Sequence, residues 1–146
     1  MSADRLARRC LDILGPIDGP IAVEGDAALR AALATAVALA TDDRGPVAAA
    51  VVSFWSTPAR PSARQTLLAS LARRLPHGAP IVLVDHNQPR ALWRRAVALP
   101  RLLAAGLAPA RARYPAAREL RALGFEVERL RLESGERMQV VGARRS

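Results

Sequence analysis

Leu6, Cys10, Ile13 and Leu14 recur at helical spacing, which predicts an amphipathic helix over residues 3–14. Gly15-Pro16 closes it, and Asp18-Gly19-Pro20 is a turn. The short apolar run Ile21-Ala22-Val23, ending at Glu24, reads as a buried strand. Asp26 can cap a following helix by accepting from its open amides. The Ala/Leu-rich stretch 27–40 continues that helix, with Leu29, Leu33 and Val37 on one stripe. Thr41 to Pro46 is a polar turn. Residues 47–54, VAAAVVSF, are continuously apolar and bounded by breakers, the pattern of a strand buried on both faces.

Ser56 to Ser62 carries two prolines and reads as a loop. A helix over 63–75 follows, with Leu67, Leu68, Leu71 and Leu75 as its stripe. Pro76-His77-Gly78 stops it before a second apolar strand, 80–85, that ends at Asp85. Residues 89–106 are helical in pattern, and Pro100 is expected to break or kink them. An arginine-rich loop over 108–115 leads to a short helix, 116–123, ended by Gly124. Strands over 125–132 and 137–143 are joined by the turn Glu133-Ser134-Gly135-Glu136. The first changes phase midway, with Phe125 and Val127 on one face and Leu130 and Leu132 on the other. That predicts a bulge or an exposed edge.

Strands alternating with helices imply an α/β fold. The expectation is a mainly parallel, Rossmann-like sheet of about five strands, with helices on both faces and a C-terminal antiparallel hairpin. Ligands of such sheets bind at the carboxyl ends of the strands. Those ends carry Glu24-Gly25-Asp26, Ser53-Phe54-Trp55 and Asp85-His86-Asn87.

At 146 residues the chain reads as one domain, 1–146. No apolar run reaches the roughly 18 residues of a membrane span, so no membrane partner is expected. A polar N-terminus with Asp4 does not read as a signal peptide. Cys10 is the single cysteine, which fits a reducing cytoplasm. The two histidines and the cysteine form no metal-ligand pattern. The net charge of +9 suggests an anionic partner. All 22 basic residues are arginine and alanine abounds, however, as GC-rich codons would favour. The arginines are dispersed and few aromatics are available to stack on bases, which weighs against nucleic acid.

The segment 67–86, LLASLARRLPHGAPIVLVDH, resembles the late half of a class I S-adenosylmethionine-dependent methyltransferase. That family commonly reads L-x-P-G-G before an apolar strand; here Leu75-Pro76-His77-Gly78 precedes Ile81-Val82-Leu83-Val84-Asp85. VAAAVVSFW is similar to the family's fourth strand, RELRALGFEVERLRL to its last helix and sixth strand, and MQVVGA to its final strand. The resemblance spans roughly residues 45–145, while the family's GxGxG cofactor loop has no counterpart. IAVEGDAAL can be placed as the second strand, with Glu24 as the ribose-binding acid, or as the first, with Gly25-Asp26-Ala27-Ala28 standing where the glycines would be. The first-strand placement avoids a sheet that lacks its centre and leaves unpaired amides in the core.

The resemblance implies S-adenosylmethionine as a possible cofactor, with Glu24, Gly25, Asp26, Ser53, Phe54 and Trp55 around it; Asp85 and His86, at the carboxyl end of a strand, read as a general acid/base pair. Each residue also has a plain reading: Glu24 as a strand end, Asp26 as a helix cap, Phe54 and Trp55 as core, Asn87 as a turn residue, Cys10 as packing. Arg113 and Tyr114 could meet an anion from a surface loop. Three functional classes fit. One is a methyltransferase-like protein acting on small molecules with a degenerate cofactor site. Another is a non-catalytic subunit, pairing with itself or with a complete methyltransferase through the sheet edge left open by missing strands. The last is a basic nucleic-acid-binding module.

Overall fold

The structure is a computed structural model that describes residues 1–42, 44–56, 59–87, 92–104 and 115–146. Among the described residues ten elements follow one another: α1 (Ala3–Leu14), β1 (Ile21–Glu24), α2 (Ala27–Ala34), β2 (Ala49–Ser53), α3 (Pro61–Arg74), β3 (Pro80–His86), α4 (Leu92–Ala104), α5 (Pro115–Ala122), β4 (Phe125–Glu133) and β5 (Met138–Arg145). The five strands form one sheet in the order β1-β2-β3-β5-β4. β1, β2 and β3 are parallel, β5 runs antiparallel to β3, and β4 is antiparallel to β5. This is the α/β architecture expected from the alternating pattern.

Side chains alternate across the sheet and build two cores. Val23, Val51, Val82, Val84 and Val140 face α1 and α2, against Leu6, Cys10, Leu14, Leu29 and Leu33. Ala22, Val52, Phe54, Leu83 and Val141 face α3 and α5, against Leu68, Leu71, Leu75 and Leu120. The phase change in β4 is a register shift between Val127 and Arg129. The backbone turns at Gly124 with φ 81°.

Three expectations need correcting. The Ala-rich helix stops at Ala34, not residue 40. Ala36 and Val37 still donate to Leu33, but the chain then bends so that the Ile21 amide donates to the Ala38 carbonyl and the Ala40 amide to the Ile21 carbonyl. A strand-like bridge between Ile21 and Leu39 results, and it outcompetes two further helical turns. α3 begins at Pro61, two residues early, because proline suits the first helical turn, where its missing N–H is not needed. α4 runs through Pro100 without ending there.

β1 pairs directly with β2, from Ile21 opposite Ala49 to Glu24 opposite Val52. No strand is missing between them, which agrees with the first-strand placement of IAVE. The chain leaves β1 through α2 to the Leu39 bridge on its outer side, then returns past Pro20, whose carbonyl accepts from the Ala48 amide, to enter β2 on the inner side. The direction of travel therefore reverses between β1 and β2. The outer edge of β1 is also largely taken: Ile21 is bonded through the bridge, and Arg30 Nη1 donates to the Val23 carbonyl at 3.1 Å.

Candidate functional site

A reversal in strand order opens a crevice at the carboxyl ends of the flanking strands, here β1 and β2. Glu24, Gly25 and Asp26 approach it from β1, and Ser53 to Ser56 from β2. Glu24 is half-buried at the end of β1, and its carboxylate makes no hydrogen bond among the described residues.

Gly25 has φ 98°, and a Cβ there would lie 2.0 Å from the Ser53 carbonyl oxygen. The glycine is thus needed so that two protein segments can touch. Asp26 caps α2: its Oδ1 accepts from the amides of Ala28 at 3.0 Å and Leu29 at 3.1 Å. Its Oδ2 accepts from Ser56 Oγ at 2.6 Å. Partial burial pushes the Asp26 carboxyl up, but the bonds from Ser56, Leu29 and Ala28 outweigh it and hold the group below the usual aspartate range. The first amides of α2 are therefore satisfied by the chain's own carboxylate, and the Asp26–Ser56 bond ties the two lips of the crevice together.

Ser53 is fully buried, and its Oγ has no hydrogen-bond partner among the described residues. Trp55 packs beside the α1/α2 core and lies against His86, with ring centroids 4.6 Å apart and planes tilted by 32°. Phe54 points to the other core, where the Arg64 guanidinium lies 4.1 Å from its ring centre.

Asp85 and His86 both end β3, but successive strand residues leave opposite faces of the sheet. His86 joins Trp55, whereas Asp85 joins Arg64 beneath α3 and α5. The two do not form a facing acid/base pair. Asp85 Oδ2 accepts from Arg64 Nη2, and Oδ1 accepts from the His86 backbone amide at 2.7 Å. Arg64 also donates from Nε to Glu119 Oε1 at 3.0 Å. Arg64 and Asp85 are 2 % and 0 % exposed, so this is an ion pair sealed inside the core. Burial works against the Arg64 charge, but Glu119 and Asp85 overcome it and raise its pKa. An aspartate held this way is tied into the fold by Arg64 and the His86 amide.

Beside it, Gln139 Nε2 donates to the His86 carbonyl at 2.7 Å, and Asn87 Nδ2 donates to the Glu136 carbonyl at 2.8 Å. Asn87 thus clamps the hairpin turn, where Ser134 and Glu136 both have positive φ. At this same end of the sheet a cavity of about 280 Å³ is lined by Trp93 and Val97 of α4 and by Ser134, Gly135 and Arg137 of the hairpin. Arg113 and Tyr114 lie outside the described residues.

Arg64, Glu119, Ser56, Trp93 and Arg137 were not singled out from the sequence. Arg64 alone carried a signal. It sits four residues before Leu68 and seven before Leu71, so it occupies the buried stripe of α3.

No protein-family model matches the sequence, and no curated protein matches it by sequence comparison. Solved structures do. The glycopeptide N-methyltransferase MtfA, complexed with S-adenosyl-L-homocysteine, superposes with a TM-score of 0.63 at 15% identity, covering 100% of this chain and 91% of that one. The mitomycin 7-O-methyltransferase MmcR superposes with a TM-score of 0.66 at 17% identity, covering 99% of this chain but 53% of that one. An S-adenosylmethionine-dependent methyltransferase from Methanosarcina mazei gives a TM-score of 0.60 at 15% identity, covering 92% and 96%. Together with the sheet order and the reversal between β1 and β2, these likenesses give this chain the class I methyltransferase-like fold.

Proposed function

We propose that this protein is a methyltransferase-like domain of the small-molecule type whose cofactor mouth is degenerate. The observation that carries the reading is Asp26. A complete mouth offers flexible glycine backbone and open helix amides to an anionic cofactor group. Here the amides of Ala28 and Leu29 are occupied by the Asp26 carboxylate, which would also face the cofactor's own carboxylate. Gly25 is filled against Ser53, and Ser56 closes the lips. The residues present do not fit S-adenosylmethionine as a tight ligand, although Glu24 keeps an acidic group at the end of the first strand. Of the two residues read as an acid/base pair, His86 keeps a place beside Trp55, while Asp85 acts in the core.

Among the described residues, the cleft of about 280 Å³ between α4 and the hairpin is a place at this end of the sheet for a small molecule. An oligomer or a heteromer with a complete methyltransferase, formed through the β1 edge, would have to displace the bonds to Ala38, Ala40 and Arg30. Titration calorimetry with S-adenosylhomocysteine tests the reading. The expected result is no saturation up to millimolar ligand, and micromolar binding would overturn it. Asp26→Ala should free the amides, and a gain in affinity on that change would identify the carboxylate as the block.

A further inference from the structure

The amino ends of the parallel strands, opposite the cofactor mouth, carry a second concavity. A cavity of about 410 Å³ lies there, lined by Arg44, Pro46, Ser70, Arg73 and Arg74. Pro46, Arg73 and Arg74 also border an adjoining hollow of about 500 Å³, whose other walls include Asp18, Gly19, Ala48 and Arg145. β2 is five residues long, so at about 3.3 Å per residue this place is roughly 15 Å from the mouth.

Ser70 lies three and four residues before Arg73 and Arg74 in the last turns of α3, so the three share one face of the helix. Arg74 is held in place: its Nε donates to the Gly45 carbonyl at 2.8 Å and its Nη2 to the Asp42 carbonyl at 2.9 Å. Both acceptors are neutral, so they fix the guanidinium without cancelling its charge. The Asp42 carboxylate is nearby but accepts from the amides of Gly45 and Arg44, which hold it below the usual aspartate range. The guanidinium groups of Arg44 and Arg73 and the hydroxyl of Ser70 make no hydrogen bond or ion pair among the described residues. Asp43 lies outside those residues. Arg9, Arg64 and Arg144, by contrast, each have a carboxylate partner. The carbonyls at the end of α3 would repel an anion, but two of them are occupied. Arg74's accepts from the Val47 amide at 3.2 Å, and Leu75's accepts from Arg145 Nη1.

Three guanidinium groups and a hydroxyl around one cavity, with none of the cations closed by a carboxylate, are donors that suit an acceptor-rich group. A phosphoryl group offers several oxygens and up to two charges, and arginine forks match its geometry. No aromatic side chain lines either hollow among the described residues, so neither offers a stacking platform for an unpaired base. We propose that this cavity binds the phosphoryl group of a small molecule, with Arg44, Ser70, Arg73 and Arg74 as its donors. The adjoining hollow has room for whatever the phosphate is attached to, and the exposed Asp18 is placed there to accept from a hydroxyl group. The site is independent of the reading of the cofactor mouth.

Titration calorimetry of the intact protein at constant ionic strength tests it, with inorganic phosphate and ribose 5-phosphate as probes. Saturable binding in the millimolar range or tighter is expected for at least one of them. Arg44→Gln/Arg73→Gln should weaken it roughly tenfold or more and leave the melting temperature unchanged, because neither side chain has a partner to lose. Tighter binding of ribose 5-phosphate, reduced to the level of phosphate in Asp18→Asn, would assign the site to a phosphorylated metabolite. Equal binding of the two would assign it to free phosphate. Absence of saturation with both probes would overturn the proposal. So would an equal loss in Arg118→Gln/Arg121→Gln, which removes the same charge from exposed positions of α5 and would mean that net charge alone is at work. A short DNA duplex that binds more tightly than either probe, with the same dependence on Arg44 and Arg73, would overturn it too and assign these arginines to a nucleic-acid backbone.

Discussion

Gly25→Ala puts the close approach of the β1–α2 turn to Ser53 to the test. Two separate costs arise. The backbone at φ 98° lies where an L side chain is strained by about 1–2 kcal/mol. The new methyl would also sit 2.0 Å from the Ser53 carbonyl oxygen and 3.0 Å from its carbon. Both are backbone atoms of a central strand, so relief requires moving β2 or prying the β1–α2 turn away, at roughly 1–3 kcal/mol. The expected total is about 3 kcal/mol, a large share of the roughly 5–15 kcal/mol that holds a domain of this size together. In a thermal melt followed by circular dichroism, that is a drop of about 6–12 °C. Gly124→Ala is the control. Its φ of 81° carries similar backbone strain, but nothing lies within 4 Å of the added methyl. It should cost only about 1 kcal/mol. Equal losses in the two variants would refute the argument, because the contact with Ser53 would then have no energetic weight.

Other outcomes follow from the same geometry. Arg64→Met should destabilise the protein by about 3–5 kcal/mol in urea unfolding, because it strands Asp85 as an unpaired buried charge; Glu128→Ala, which removes a half-exposed partner of Arg144, should change stability by less than about 1 kcal/mol. Asp26→Asn should alter the pH dependence of stability. The folded carboxyl lies below its unfolded value, so its contribution is present above about pH 4 and is lost as pH falls through the folded pKa, and the parent's advantage over the variant in acid melts should shrink in that window. Cys10 is buried, which pushes its thiol up to about 12; a thiol reagent at pH near 8 should label it only at the rate of unfolding, and fast labelling of the native protein would contradict its placement on the buried face of α1.

The sequence made the strands legible because buried parallel strands are short apolar runs between breakers, as VAAAVVSF and IVLV are. It misjudged α2 because alanine favours helix wherever it stands. Whether Ala36 to Ala40 stay helical is decided by the distant amide and carbonyl of Ile21, which no local pattern reports. The carboxyl ends of the strands were correctly located, since position follows from topology. What the side chains do there was not readable. Asp85 looks like a free acid in sequence, and its partner Arg64 lies twenty-one residues away on another element. Gly25 resembles a remnant of a cofactor loop until the Ser53 carbonyl is placed beside it.

The position of β5 has a consequence for how the protein is made. β5 is the last of the five strands to leave the ribosome, yet it lies between β3 and β4. Until residues 138–145 emerge, β3 has a bare edge and β4 has no neighbour at all. The nascent chain therefore holds an unpaired, strongly apolar strand in the open for the whole time that residues 87–137 are being added. That is the interval in which intermolecular pairing competes with folding. A stalled or prematurely ended chain that stops before Met138 should be a substrate for chaperones and proteases, even though most of its core residues are already present.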